Sequence, residues 1–178
     1  MKTSAFPISP LSLDGLTRDT WGQFDAAIIA QLAPLAENSC YQPKIYRAPS
    51  QSDEVLANGA YASYGLKITP GAIICAYYLG PASDATNIPV GFNAQITDQS
   101  LKHDWFDQPV PSVFLANDRP TYIGVSQGIV GSAPCFLDAP YPVVGTGLFL
   151  VQLWNNSGAQ QRIELVFGVL EPIGEACL

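Results

Sequence analysis

Apolar and polar residues alternate most regularly near the C-terminus, in LFLVQLWNNSGAQQRIELVFGVL, residues 148–170. Alternation puts Phe149, Val151 and Leu153 on one side of a first strand. It puts Ile163, Leu165, Phe167 and Val169 on one side of a second. A turn near Asn156–Gln160, with Gly158 suited to a positive φ, predicts a β-hairpin. Leu153 then faces Ile163, Val151 faces Leu165, and Phe149 faces Phe167. The reverse face is polar near the turn, at Gln152, Arg162 and Glu164, and apolar away from it, at Leu148, Leu150, Val166 and Leu170. An antiparallel sheet with one face in water stays polar there. Those four side chains therefore need a cover, supplied either by the N-terminal part of the chain or by another chain.

Upstream, the pattern changes period. In RDTWGQFDAAIIAQLAPL, Trp21, Phe24, Ile28 and Leu32 recur at helical spacing, with Asp19 or Thr20 as N-cap and Pro34 as a stop. From Cys40 to Gly65, four tyrosines are mixed with Pro, Ser, Asn and Gly, without the periodicity of a core. Residues 1–65 are therefore expected to form an N-terminal arm with one short helix. From Leu66 on, strand-sized segments follow one another with turn signals about every ten residues. They include TPGAIICAYYLGP, VGFNAQITD, TYIGVSQGIVG and PYPVVGTGLFLVQLW. Pro109 and Pro111 restrict their strands to edges or strand ends. Residues 66–178 are expected to form an all-β domain, an antiparallel sandwich of the jelly-roll kind.

Composition sharpens this picture. Of the 178 residues only 13% are charged, against roughly 25% in a typical soluble protein, which fits a surface buried against other chains as well as a well-packed β domain. No apolar run approaches the ~18 residues of a membrane helix, and no membrane partner is expected. Pro7 and Pro10 interrupt what would be the apolar core of a secretion signal. The net charge of −7, with the eight Lys and Arg scattered, argues against nucleic acid.

Candidate chemistry is sparse. Gly124-Val125-Ser126-Gln127-Gly128 fits G-x-S-x-G, but breakers rather than a helix follow it. The single histidine, His103, precedes the serine instead of following it. In HDWFD, His103 and Asp104 are strand neighbours whose side chains point apart. Asp107 lies beyond them. No catalytic residue and no cofactor is expected. Cys40, Cys75, Cys135 and Cys177 are widely spaced, so free thiols rather than a metal site are expected. Trp105 and Trp154 are the candidate ligand contacts, since an exposed aromatic among polar groups suits a sugar.

The segments TPGAIICAYYLG (69–80), GFNAQITD (91–98), DWFDQPVP (104–111), PYPVVGTGLFLVQLWN (140–155) and RIELVFGVLEP (162–172) resemble, in style and order, small β-sandwich virion proteins of tailed bacteriophages. The resemblance covers about 100 residues, starts after residue 65, and rests on no signature motif. It implies a non-enzymatic subunit of a collar, capsid decoration or tail fibre, assembled in the host cytoplasm. It implies as partners copies of itself and other virion structural proteins, with Leu148, Leu150, Val166 and Leu170 at the subunit interface. The alternative is a carbohydrate- or receptor-binding sandwich.

Overall fold

The structure is a computed structural model that describes residues 18–37, 39–49, 55–80, 92–111, 121–123, 129–131, 135–162 and 164–174. One helix, α1 (Arg18–Ala36), precedes the strands β1 (Tyr41–Ala48), β2 (Val55–Leu56), β3 (Tyr61–Lys67) and β4 (Ile73–Gly80). Then come β5 (Phe92–Asp98), β6 (His103–Asp104), β7 (Val110–Pro111), β8 (Thr121–Ile123) and β9 (Ile129–Gly131). The last are β10 (Cys135–Pro142), β11 (Leu148–Asn155), β12 (Gln161–Arg162) and β13 (Glu164–Pro172). Two antiparallel sheets, β1-β13-β4-β10 and β3-β11-β5-β6, form an all-β sandwich, with β7 also on β5.

Many of the pairings are nested. β1 pairs with β13, β2 with β12, β3 with β11, β4 with β10, β5 with β6 and β7, and β8 with β9. β1–β4 are thus nested with β10–β13, and the β1–β13, β3–β11 and β4–β10 pairs fall in turn in the first, the second and again the first sheet, while β5–β7 and β8–β9 pair locally. Additional ladders, β13 on β4 and β11 on β5, close each sheet.

The winding corrects the expected hairpin. β11 and β13 do not pair; they belong to opposite sheets, and β12 lies between them on the short β2 ladder. Phe149, Val151 and Leu153 still point inward, as do Leu165, Phe167 and Val169, all in one core cluster. They meet across the core instead of across a ladder. Alternation fixes which side of a strand is buried, but not whether the next strand lies beside it or opposite. Ile163 lies outside the described residues. The turn itself is as expected: Gly158 has φ 88°, and its N–H donates to Asn58 Oδ1 at 2.9 Å.

The expected boundary after residue 65 is also corrected. β1 and β3 are integral strands of the two sheets, so of the expected arm only the helix lies outside the sandwich among the described residues. β1 sits at the end of its sheet, where Gln42 and Lys44 are exposed, Tyr46 is half-buried, and all three are polar or amphipathic. That composition concealed its period. The helix starts at Arg18 and continues through Pro34 to Ala36, and Ser39 then accepts and donates across its exit.

α1 covers the outer face of the β1-β13-β4-β10 sheet. Ile28 and Leu32 are buried there with Val166, Leu170, Cys75 and Ala76. The close approach depends on Gly168: a Cβ at this position would stand 2.3 Å from Ile28 Cγ2 and 3.3 Å from the Ala76 methyl. At one side of the helix, Arg47 bridges Asp25 of α1 and Glu164 of β13, the latter at 2.8 Å. Burial pushes the Glu164 carboxyl up, and Arg47 offsets that only in part, while Asp25 adds to it.

Candidate functional site

On β5, Gln95 is buried and donates to Phe106 O at 2.6 Å, but among the described residues no helix covers the outer face of the β3-β11-β5 sheet. Pairing registers place its outward residues in cross-strand rows. Lys67 lies beside Leu148, Gly65 beside Leu150 and Thr97, Ser63 beside Gln152 and Gln95, and Tyr61 beside Trp154 and Asn93. The face therefore changes character along the strands, from leucines at one end to aromatics and amides at the other.

At the leucine end, Leu148 is 42% exposed and Leu150 half-buried. Two turns adjoin it, joined by Gln99 N–H donating to Leu148 O at 2.9 Å and by the Ser100 and Thr146 hydroxyls at 2.8 Å. These turns carry Leu101 and Val144, exposed by 54% and 40%. Charges flank the leucines on both sides. Lys67 stands on β3, and Asp104 stands on β6, where it accepts from Thr97 of β5 at 2.5 Å.

At the aromatic end, Tyr61 and Trp154 lie with ring centroids 5.0 Å apart and planes tilted by 38°. Gln152 Nε2 donates to the Tyr61 hydroxyl at 2.5 Å, and that hydroxyl also bonds the Ser63 hydroxyl.

The four expected interface residues are thus divided between the sheets. Val166 and Leu170 are covered by α1 of the same chain, whereas Leu148 and Leu150 lie on the open face. The two expected ligand tryptophans divide as well. Trp154 is on the open face, but the Trp105 ring packs between the sheets, within 6.3 Å (centroid to centroid) of Tyr77, Tyr141, Phe149 and Phe167. Its side chain turns inward because the segment after β6 folds over the edge, where Trp105 N–H donates to Ile96 O at 2.9 Å. The indole N–H is buried and finds no hydrogen-bond partner among the described residues. Burial, reinforced by a bond to Asp98 at 2.9 Å, pushes the Tyr141 phenol up to about 12.

His103, Asp104 and Asp107 are all exposed. Ser126 and its flanking glycines lie outside the described residues, as does Cys177. Cys40 is exposed and Cys75 buried, both as free thiols, and burial pushes the Cys75 thiol up. No group of three or more His, Cys, Asp or Glu is placed to hold a metal among the described residues.

The most concentrated polar cluster is one that the sequence did not reveal. At the end of the sandwich, buried Glu171 accepts from the hydroxyls of Tyr46 and Thr69 and from Lys44 at 2.8 Å. Burial alone would raise this carboxyl. The bonds from Lys44, Thr69 and Tyr46 outweigh it and hold the pKa at about 2. The partners come from β1, from the segment before β4 and from β13, so the cluster ties the N-terminal strand to the rest. No spacing in the sequence announces Glu171 and partners 102 to 127 positions away as neighbours.

A folded-state pKa of about 2, against 4.5 for the free carboxyl, makes the contribution of Glu171 complete above about pH 4.5. It is lost as pH falls through about 2. Its size is about 2–3 kcal/mol, allowing for screening by solvent around half-exposed Lys44. Glu164, shifted upward, acts with the opposite sign and favours the folded state as it protonates. Glu171→Gln should therefore lower stability at neutral pH and flatten its fall between pH 4.5 and 2, as measured by urea unfolding across that range.

No protein-family model matches the chain, and neither a curated protein nor a solved structure matches it significantly.

Proposed function

We propose that the chain is a non-enzymatic structural subunit that assembles with copies of itself through the leucine end of the open sheet face. We further propose that the particle it helps to build is a bacteriophage virion, formed in the host cytoplasm with other virion structural proteins. The observation that carries this reading is the asymmetry of the sandwich among the described residues: one outer face is closed by the chain's own helix, and no helix lies on the other, where Leu148 is exposed and Leu150 half-buried.

Charge geometry favours a second copy as the occupant. Lys67 and Asp104 flank Leu148 and Leu150 on opposite sides of the same face. A two-fold axis lying in the interface and parallel to β11 brings Lys67 of each copy towards Asp104 of the other. A self-complementary patch of this kind is what an isologous dimer requires. Magnitudes define its extent. Two leucines per copy, at roughly 1.5–3 kcal/mol for each fully buried side chain, do not safely exceed an association cost of about 4–15 kcal/mol. Including Leu101 and Val144 roughly doubles the gain.

The strand order supports the virion reading by analogy. First pairs with last and second with second-last, and the resulting sheets β1-β13-β4-β10 and β3-β11-β5-β6 make an antiparallel sandwich, which we read as of the jelly-roll kind. Capsid and lectin domains are among the proteins that use it. Because one fold serves many functions, the order adds weight only alongside the face itself and the sequence resemblance.

The test is the mass in solution of wild type and of the double variant Leu148→Asp, Leu150→Asp, by light scattering behind a sizing column. Wild type should elute as a multiple of 19.0 kDa, and the variant as a 19.0 kDa monomer with unchanged melting temperature. A monomeric wild type, or a variant of unchanged mass, would refute self-association through this face.

A further inference from the structure

The other end of the open face has a different chemistry. Tyr61 is 49% exposed beside Trp154, and their tilted rings make a shallow angled platform. Beside them stand Gln152, Ser63 and Asn93, with amide and hydroxyl groups on the same face. None of these side chains is charged. Such a surface is complementary to a neutral ligand that has C–H faces for stacking and hydroxyls for hydrogen bonds.

Gly65 supplies a second, independent observation. It sits inside β3 with ordinary strand backbone rather than a positive φ, and a Cβ there would meet nothing within 4 Å. Neither conformation nor crowding asks for glycine. A glycine inside a strand weakens it, and it often marks the place where a ligand or another backbone comes close. Here it leaves a shallow depression between Ser63 and Lys67, in line with the Tyr61 ring along β3. Tyr61 and Gly65 are separated by about 13 Å at strand rise, which suits an oligosaccharide rather than a single ring.

We infer that the Tyr61–Trp154 platform and the depression at Gly65 form a binding site for a neutral oligosaccharide. Its pyranose faces stack on the two rings, and its hydroxyls bond Gln152, Ser63 and Asn93. The net charge of −7 and the uncharged platform disfavour a polyanion such as nucleic acid. Gly65 shares the Leu150 row where the leucine end begins, so the two sites meet there; Tyr61 and Trp154 lie two rows away, and the assembly test reads mass whereas this one reads affinity.

The experiment is calorimetric titration of the full chain with cellohexaose, maltohexaose, chitohexaose and mannohexaose. At least one should bind. Trp154→Ala should weaken that binding by about three- to tenfold, the worth of a lost aromatic stack. Gly65→Val should weaken it comparably by filling the depression, while raising the melting temperature, because a β-branched residue suits a strand. The second variant guards against a Trp154→Ala chain that fails to fold. Absence of binding across the panel at millimolar ligand overturns the proposal. So does binding that survives Gly65→Val, or that survives Trp154→Ala in a folded chain.

Discussion

Gly168→Val should lift α1 off the sheet. A Cβ at Gly168 would stand 2.3 Å from Ile28 Cγ2, well inside van der Waals contact, and the Ala76 methyl leaves no lateral room. β13 is the second strand of its sheet, held by β1 and β4 on either side, so the backbone cannot retreat. The helix must move. Ile28 and Leu32 then lose burial worth roughly 3–6 kcal/mol in total, and Val166 and Leu170 meet water. Valine's preference for strands offsets only a small part of this. The sandwich core beneath is a separate cluster and should persist. The measurement is the reactivity of the Cys75 thiol, buried under the helix, towards an aromatic disulfide. It should rise from near zero to the rate of exposed Cys40, with strand circular dichroism retained. An unreactive Cys75 in a folded variant would mean that the helix does not sit on Gly168.

Trp105→Ala should be among the most damaging single truncations, costing about 3–5 kcal/mol in urea unfolding. The indole touches Phe149 of one sheet and Phe167 of the other edge-on, at 6.3 and 6.0 Å, and lies 5.0 Å from Tyr141. Removing it leaves a cavity between the sheets that the stiff aromatic neighbours cannot fill. A loss under about 1 kcal/mol would place Trp105 outside the core, contrary to these contacts. Saccharide binding at Trp154 should survive Trp105→Ala wherever the variant is folded, which separates the two tryptophans by function.

The sequence made burial legible but not adjacency. Alternation named the inward residues of β11 and β13 correctly, because a strand's side chains obey a period of two whatever lies next to it. It paired those strands wrongly, because a five-residue turn looks the same whether it closes a hairpin or carries the chain across to the opposite sheet. Of the apolar reverse face that the period marked, α1 covers Val166 and Leu170, while Leu148 stays exposed. Helical spacing at Ile28 and Leu32 marked a candidate, but nothing in the chain said that Gly168 was the seat. β1 was hidden for a related reason: Gln42, Lys44 and Tyr46 on one side of it serve Glu171, and such polar residues break the hydrophobic period. Trp105 and Trp154 were both offered as ligand contacts because each has polar neighbours in sequence; alternation along β11 set Trp154 on the face opposite Phe149, Val151 and Leu153, but no period fixed Trp105. Only the fold separates the one between the sheets from the one beside Tyr61.

The central claim is that the chain closes one sheet face itself and offers the other to a copy. Side-chain oxidation by hydroxyl radicals, read by mass spectrometry over a hundredfold range of protein concentration, tests both halves at once. Labelling of Leu148 and Leu150 should fall as concentration rises, while Val166 and Leu170 stay protected throughout. Constant labelling of Leu148 and Leu150, or protection of Val166 and Leu170 that appears only at high concentration, would contradict it.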